Sequence, residues 1–518
     1  MKNLTLRMIG VTALLMTSGV SAQNFAIEEA TIVGVQQALQ TRAVTCRQIV
    51  QAYLDRIAAY DHQGPALNSI LALNQKALTE ADRLDAERAG GTMGPLHCAP
   101  LLLKDNYNTA DLPTTGGSAS LAGMQPPADA FVVARLRKAG AIILGKTNMH
   151  EFALSGTTVS SLGGQTLDPY DLTRTPGGSS GGTGAAVAAN FAIAGTGSDT
   201  VNSIRSPASA NSLVGIRPTK GLLSRGGIMP VSETQDAIGP IARSVADAAR
   251  LLEVMAGFDQ NDPATAWSVG NTPTGYVQFL KADGLRGGRI GVLKAMFGSG
   301  PEHQEVNTVM AAAIAALKSA GADVVEIDAP SLDASRLGGD NDVQKYEFKA
   351  LINSYLSTIP NAPAKSLAEI IASGKFHKPS LEKFLASAEG FANGTDEPDY
   401  KERLLRNQRT RQLLISVFSE HRLDAVIYPL QRRLVVPLNE LNQADRNGIL
   451  ASVTGFPAIT VPAGFSAPTA SAPLGVPVGM DMLGKPWNEG RLIELAYGFE
   501  QTVQARKPPK STPALVGH

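Results

Sequence analysis

Short apolar runs alternate with helix-period segments along most of this chain, which restricts it to a few layered α/β folds. Pro100-Leu-Leu-Leu103 leads into Lys104-Asp105, a helix is expected over 130–139, and Ala141-Ile-Ile-Leu144 follows. The same order returns at Arg289-Ile-Gly-Val-Leu293, a helix over 305–320, and Asp323-Val-Val-Glu-Ile327, with one more run at Leu423-Asp-Ala-Val-Ile-Tyr428. Uninterrupted apolar runs in a strand, helix, strand order mark a buried parallel sheet, and one large sheet covered by helices accounts for all of them. Ile49, Val50, Tyr53, Leu54 and Ile57 predict a helix from Cys46 to Tyr60, and Ala77, Leu78, Ala81 and Leu84 another over 76–89. Residues 331–412 read as mostly helical, including 343–356 and 381–391, and form a cover on the sheet. The stretch 506–518 has no periodicity and is expected to be a loose tail.

A length of 518 residues permits several domains, but the composition does not divide the chain: 43% apolar and 18% charged is an ordinary globular profile. Lys plus Arg and Asp plus Glu number 46 each, so no field draws nucleic acid or an anionic membrane to this protein. The expected partner is a small molecule or a peptide. At the start, Lys2 and Arg7 precede an apolar run from Met8 to Val20 that ends in the small residues Ser21 and Ala22. This is the pattern of a cleaved secretory signal, and the run is shorter than the roughly 20 residues a membrane span needs. The chain is therefore read as a signal peptide over 1–22 and a single domain over 23–518, exported to the periplasm or beyond, with no membrane attachment after cleavage. In such a compartment Cys46 and Cys98 either form a disulfide, tying the first helix to the strand before Lys104, or stay as two buried thiols.

Lys104, Pro176-Gly-Gly-Ser179-Ser180-Gly-Gly182 and Gly197-Ser-Asp199-Thr-Val-Asn-Ser203-Ile-Arg205 hold the parts of a hydrolase that works without histidine. A glycine-rich turn brings backbone N–H groups close to a substrate, while the serines and the lysine supply a nucleophile and a base. The glycine run also matches the G-x-S-x-G elbow, which needs an apolar strand directly before it; Asp171 to Pro176 is not one. No Gly-Lys-Ser/Thr follows, against a phosphate loop, and His150-Glu151 lacks the second histidine of a zinc helix. Neither a metal nor a cofactor is expected.

With Gly145-Lys-Thr-Asn-Met149-His-Glu-Phe152, Gly226-Gly-Ile-Met-Pro230 and Gly455-Phe-Pro-Ala-Ile-Thr-Val-Pro462 added in the same order, the chain resembles the amidase signature family over nearly its whole mature length. The resemblance implies a large mixed β-sheet covered on both faces by α-helices. It implies Ser203 as nucleophile, Ser179 as a bridging serine in cis peptide linkage with Gly178, and Lys104 as base. The backbone N–H groups of Thr200, Val201, Asn202 and Ser203 become the oxyanion hole, held by Ser180, Asp199 and Arg205. Val201-Asn202 departs from the family, where a glycine precedes the nucleophile; Asn tolerates positive φ, whereas a β-branched Val requires negative φ. Within the family the chain is similar to bacterial peptide amidases, through Gly163-Gly-Gln-Thr166, Tyr346-Glu-Phe-Lys-Ala350 and Glu500-Gln501. The implied reaction is deamidation of C-terminal peptide amides through an acyl-enzyme. Alternatives are an aryl or alkyl amide, ester or carbamate hydrolase, the glutaminase-like subunit of an amidotransferase, and a binding protein that has lost the reaction. Met149, Tyr170 and Trp487 are candidate specificity residues, and oligomeric state is left open.

Overall fold

The computed structural model describes residues 25–515, so the signal segment expected over 1–22 lies outside the described residues. Eleven strands form one sheet: β1 Ile70–Leu73, β2 Pro100–Lys104, β3 Ile142–Thr147, β4 Ala194–Asp199, β5 Val214–Arg217, β6 Ala237–Ala242, β7 Arg289–Leu293, β8 Asp323–Ile327, β9 Ala425–Pro429, β10 Ala458–Phe465 and β11 Pro477–Gly484. Their order across the sheet is β1-β3-β2-β4-β6-β5-β10-β11-β9-β7-β8. Strands β3, β2 and β4 are parallel, as are β9, β7 and β8, and these are the places where helices separate successive apolar runs. The middle of the sheet, from β4 through β6, β5, β10 and β11 to β9, is antiparallel. The sheet is mixed, and its parallel character is confined to the two flanks.

The Cys46–Tyr60 helix starts at a capping box: Thr45 Oγ1 accepts from the Gln48 amide, and Gln48 Oε1 accepts from the Thr45 amide. Its Ile49, Val50, Tyr53 and Ile57 are buried with Leu101, Leu102, Ile142 and Ile143 of the neighbouring strands in the main core. Cys46 and Cys98 are joined in a disulfide with Cα atoms 5.6 Å apart, which fastens this helix two residues before β2. The cover consists of helices Ala334–Asn341, Gln344–Ser357, Leu367–Ser373, Lys378–Gly390 and Pro398–Glu420. Part of it has its own core, in which Phe348, Ile352, Leu356, Leu381 and Leu385 pack with Met149, Phe152, Met229 and Val231. The cover thus sits on the loops that follow β3 and β5.

The expected loose tail is a correction. Residues 506–513 are tied down: Arg56 donates to the carbonyls of Thr512 and Pro513, Arg506 pairs with Glu29 at 2.7 Å, and Ser511 Oγ donates to Pro169 O. A segment without periodicity can still be ordered when other elements bind its carbonyls. No described helix is long and apolar enough to cross a membrane.

Candidate active site

Three leucines place β2 inside the core, and Lys104 ends that strand fully buried. Its Nζ lies 2.7 Å from Ser179 Oγ and 2.8 Å from Ser198 Oγ, and Ser198 Oγ also accepts from Asn106 Nδ2 at 2.9 Å. Burial pulls the Lys104 amine down to about 7, against the more distant pull of the Asp199 and Asp236 carboxylates. An amine with that pKa is partly neutral at pH 7 and can accept a proton. Lys146 on neighbouring β3 is equally buried but has the Asp105 carboxylate at 3.4 Å and the Pro113 carbonyl at 2.9 Å. Sequence placed both lysines at the ends of apolar runs; the absence of an adjacent carboxylate distinguishes Lys104.

Ser179 is presented by a loop that other backbones grip from several sides. The Gly178–Ser179 peptide is cis. Thr158 Oγ1 donates to Gly177 O and accepts from the Gly181 amide, and the His150 amide donates to Ser179 O at 2.9 Å. The glycines are needed for close approach: a Cβ on Gly178 would stand 2.8 Å from the Gly156 carbonyl carbon, and one on Gly182 would overlap the Asn148 backbone. The run therefore packs backbone on backbone.

The Ser203 turn begins where β4 ends. Asp199 is fully buried and accepts from the Ile204 amide, from Arg205 Nε at 3.1 Å and from Arg217 Nη1 at 3.0 Å. Burial alone raises this carboxyl, but the two guanidinium groups prevail and hold it below the usual carboxylate range. Arg205 also pairs with Asp481 at 2.7 Å and donates to the Val201 carbonyl at 2.6 Å. Ser452 Oγ donates to Thr200 O, and the Ser206 amide to Asn202 O. The carbonyls of residues 200–202 are thus held from outside, while the Thr200 hydroxyl is turned to Asp236 at 2.6 Å. Neither Val201 nor Asn202 has positive φ, so the β-branched Val201 fits without strain. The Ser180 amide donates to Ser203 O at 3.2 Å, which ties this turn to the Ser179 loop.

A family model described as Amidase matches residues 48–493. The chain belongs to the amidase family. A probable amidase of Arabidopsis thaliana is 35% identical over 525 residues, covering 96% of each protein. The X-ray structure of native peptide amidase from Stenotrophomonas maltophilia superposes with a TM-score of 0.85 at 38% identity, covering 94% of this chain and 100% of that one. A glutamyl-tRNA(Gln) amidotransferase subunit from a Synechococcus strain is 33% identical over 494 residues, covering 92% of this chain and 93% of its own. The protein is an amidohydrolase of the amidase signature type, acting on carbon–nitrogen amide bonds.

Around the amidase's two serines the structure also places residues that sequence reasoning did not single out. Ser198 stands two positions after Thr196 on β4, and Thr196 Oγ1 accepts from the Lys104 amide; the period of two along the strand was the available signal. Asp481 and Arg217, which complete the Asp199 cluster, come from β11 and β5, and neither segment showed by itself that it meets Asp199. A cavity of about 170 Å³ between Met229, Val231, Asp236 and Ile238 reaches Ser198 and Thr200. Met149 is fully buried beside Met229 and Val231 and joins the loop after β3 to the cover. Tyr170 is held by the C-terminal segment. Its hydroxyl donates to Lys507 O at 2.6 Å, and its ring packs on Phe465 and beside Leu213, so it anchors the C-terminal segment. Trp487 lines a separate groove of about 400 Å³ with Trp267, Arg411 and Phe456. Among the described residues no group of three or more His, Cys, Asp or Glu is placed to hold a metal ion.

Proposed function

We propose that this amidase cleaves carboxamides through Ser203, with Ser179 as proton carrier and Lys104 as base. The observation that carries the reading is the buried Lys104 amine, 2.7 Å from Ser179 Oγ and lowered to about 7 by burial. Ser203 Oγ attacks the carbonyl carbon, its proton passes to Ser179 Oγ, and the Ser179 proton passes to Lys104 Nζ. The N–H groups of Thr200, Val201, Asn202 and Ser203 receive the oxyanion. Lys104 returns the proton through Ser179 to the departing nitrogen, leaving an acyl ester on Ser203 and free ammonia. Water, activated by the reverse relay, then hydrolyses the ester and restores the serine.

We assign C-terminal peptide amides as the substrate class. Support comes from the sequence likeness to bacterial peptide amidases and the 38% identity with the Stenotrophomonas maltophilia enzyme of that name. Purified protein should release ammonia from an amidated dipeptide with a higher kcat/KM than it cleaves an anilide or an ester of the same acyl group. A preference for the anilide or ester would reject the assignment. The amino-terminal pattern Lys2 to Ala22 supports export. Expressed in a Gram-negative cell, the protein should be recovered in the periplasm beginning at Gln23; an uncleaved chain in the cytosol would contradict export.

A second reading is favoured by the 33% identity to the amidotransferase component from Synechococcus: that the chain hydrolyses glutamine for a partner protein. It requires glutaminase activity that rises when the partner is added. Amide hydrolysis by the isolated chain at full rate argues against it.

A further inference from the structure

The turn that carries Ser203 ends beside two side chains with unused donors. Asn202 is fully buried, and its Nδ2 has no hydrogen-bond partner among the described residues. Its Oδ1 stands 3.4 Å from Arg446 Nη1, which is the one hydrogen bond of the Arg446 side chain among the described residues. Asp342 faces Arg446 only at longer range. Arg205, by contrast, is saturated with carboxylates and carbonyls.

The position of Arg446 is fixed by its neighbours. A Cβ on Gly156 would stand 2.9 Å from Arg446 Nη1, and Gly156 in turn touches Gly178 of the Gly178–Ser179 peptide. The guanidinium therefore lies at the junction of the Ser179 loop and the Ser203 turn. A buried donor without an acceptor is rare in folded proteins, and Asn202 Nδ2, with the half-buried Arg446 guanidinium beside it, calls for an oxygen supplied by a ligand. Asn202 is also where the chain departs from the glycine that the family resemblance implies.

We propose that Asn202 Nδ2 and the Arg446 guanidinium bind an acceptor oxygen on the acyl side of the substrate, close to the scissile carboxamide; this rests on Ser203 being the nucleophile. The oxyanion itself is served by backbone N–H groups. A primary carboxamide loses ammonia, which carries no oxygen, so any further acceptor has to belong to the acyl group. In a peptide amide it is the backbone carbonyl of the preceding residue, and an acyl group bearing a carboxylate offers the same oxygen with full charge. Acetylphenylalanine amide and 3-phenylpropanamide differ by the acetylamino group that carries that acceptor, and benzylmalonamic acid carries a carboxylate on the same carbon.

The wild type is expected to favour the acetylated amide over 3-phenylpropanamide at least tenfold in kcat/KM. Arg446→Met and Asn202→Gly should each shrink that ratio at least fivefold, chiefly through KM. Gly156→Ala, which displaces the guanidinium from a distance, should shrink it in the same direction, and a thermal melt identifies any variant that has not folded. A higher rate for benzylmalonamic acid that Arg446→Met abolishes supports the site with a carboxylate as its acceptor. A wild-type ratio near one, or a ratio unchanged in folded Arg446→Met and Asn202→Gly, overturns the proposal while Ser203→Ala remains inactive and the amidase mechanism stands. Turnover that survives Ser203→Ala overturns the nucleophile and this proposal with it.

Discussion

Two buried lysines stand at the last and the next-to-last positions of adjacent parallel strands, and what surrounds each decides its use. Burial lowers both amines, but Lys146 keeps the Asp105 carboxylate beside it to oppose the shift, whereas Lys104 faces hydroxyl groups and is lowered to about 7. If Lys104 is the base, kcat/KM falls as pH drops through about 7, because the protonated amine can no longer accept from Ser179, and it levels off above that value. A profile flat from pH 5 to 9 would contradict this. The same shift bears on stability: unfolded Lys104 holds its proton toward 10.5, while the folded residue releases it near 7. The unfolded state binds more protons between those values, so the Lys104 contribution to stability rises with pH across that window. Lys104→Met should flatten that rise in urea titrations. Lys104, Ser179 and Ser203 were legible because each stands in a short, unusual run of residues. Arg446 was not, since a single arginine has no signature until the fold shows what it touches, and Ser198, though inside the Ser203 run, showed its contact with Lys104 only in the fold.

Strands β4, β5, β6, β10 and β11 show why only part of the sheet could be read from the chain. Ala194-Gly-Thr-Gly-Ser-Asp199 carries two glycines, and in Ala237-Ile-Gly-Pro-Ile-Ala242 Gly239 and Pro240 interrupt the apolar residues and Pro240 cannot donate to a ladder, so neither has the β-branched run that identified β7 and β8. They are strands because neighbours on both sides hold them. The glycines also leave room for Ile204 and Ile216, which a Cβ on Gly197 or Gly239 would meet. The end of β4 is secured by Asp199 between Arg205 and Arg217. Asp199→Asn removes one charge from a buried cluster and leaves two guanidinium groups short of a partner, so a loss of about 3–5 kcal/mol is expected in chemical denaturation. Turnover should fall in the variant that remains folded, because Arg205 then no longer holds the Val201 carbonyl in place. A loss below about 1 kcal/mol would mean that the turn is held by other contacts.

Across the molecule, distant parts of the chain are stitched together. The disulfide closes a separation of 52 residues between the Cys46–Tyr60 helix and the approach to β2. By loop-closure entropy its removal should lower stability by about 4 kcal/mol, which Cys98→Ala in urea titrations would test. The C-terminal segment is bound by Arg56 and Tyr60, and its Arg506 reaches back to Glu29, so ending the chain at Ala505 should lower the melting temperature. Such long-range ties were invisible in the sequence, because the segment that makes them has no period of its own. The helical cover was legible as helix, but its docking on Met149 and Met229 emerged only with the fold.

The measurement that tests the central claim most directly is ammonia release from an amidated dipeptide by the mature protein, with Ser203→Ala, Ser179→Ala and Lys104→Met assayed in parallel. The account predicts turnover by the wild type, a loss of at least about 10³-fold in Ser203→Ala, and losses of similar order in the other two, as for residues that act as one unit. Activity persisting in Ser203→Ala would contradict it.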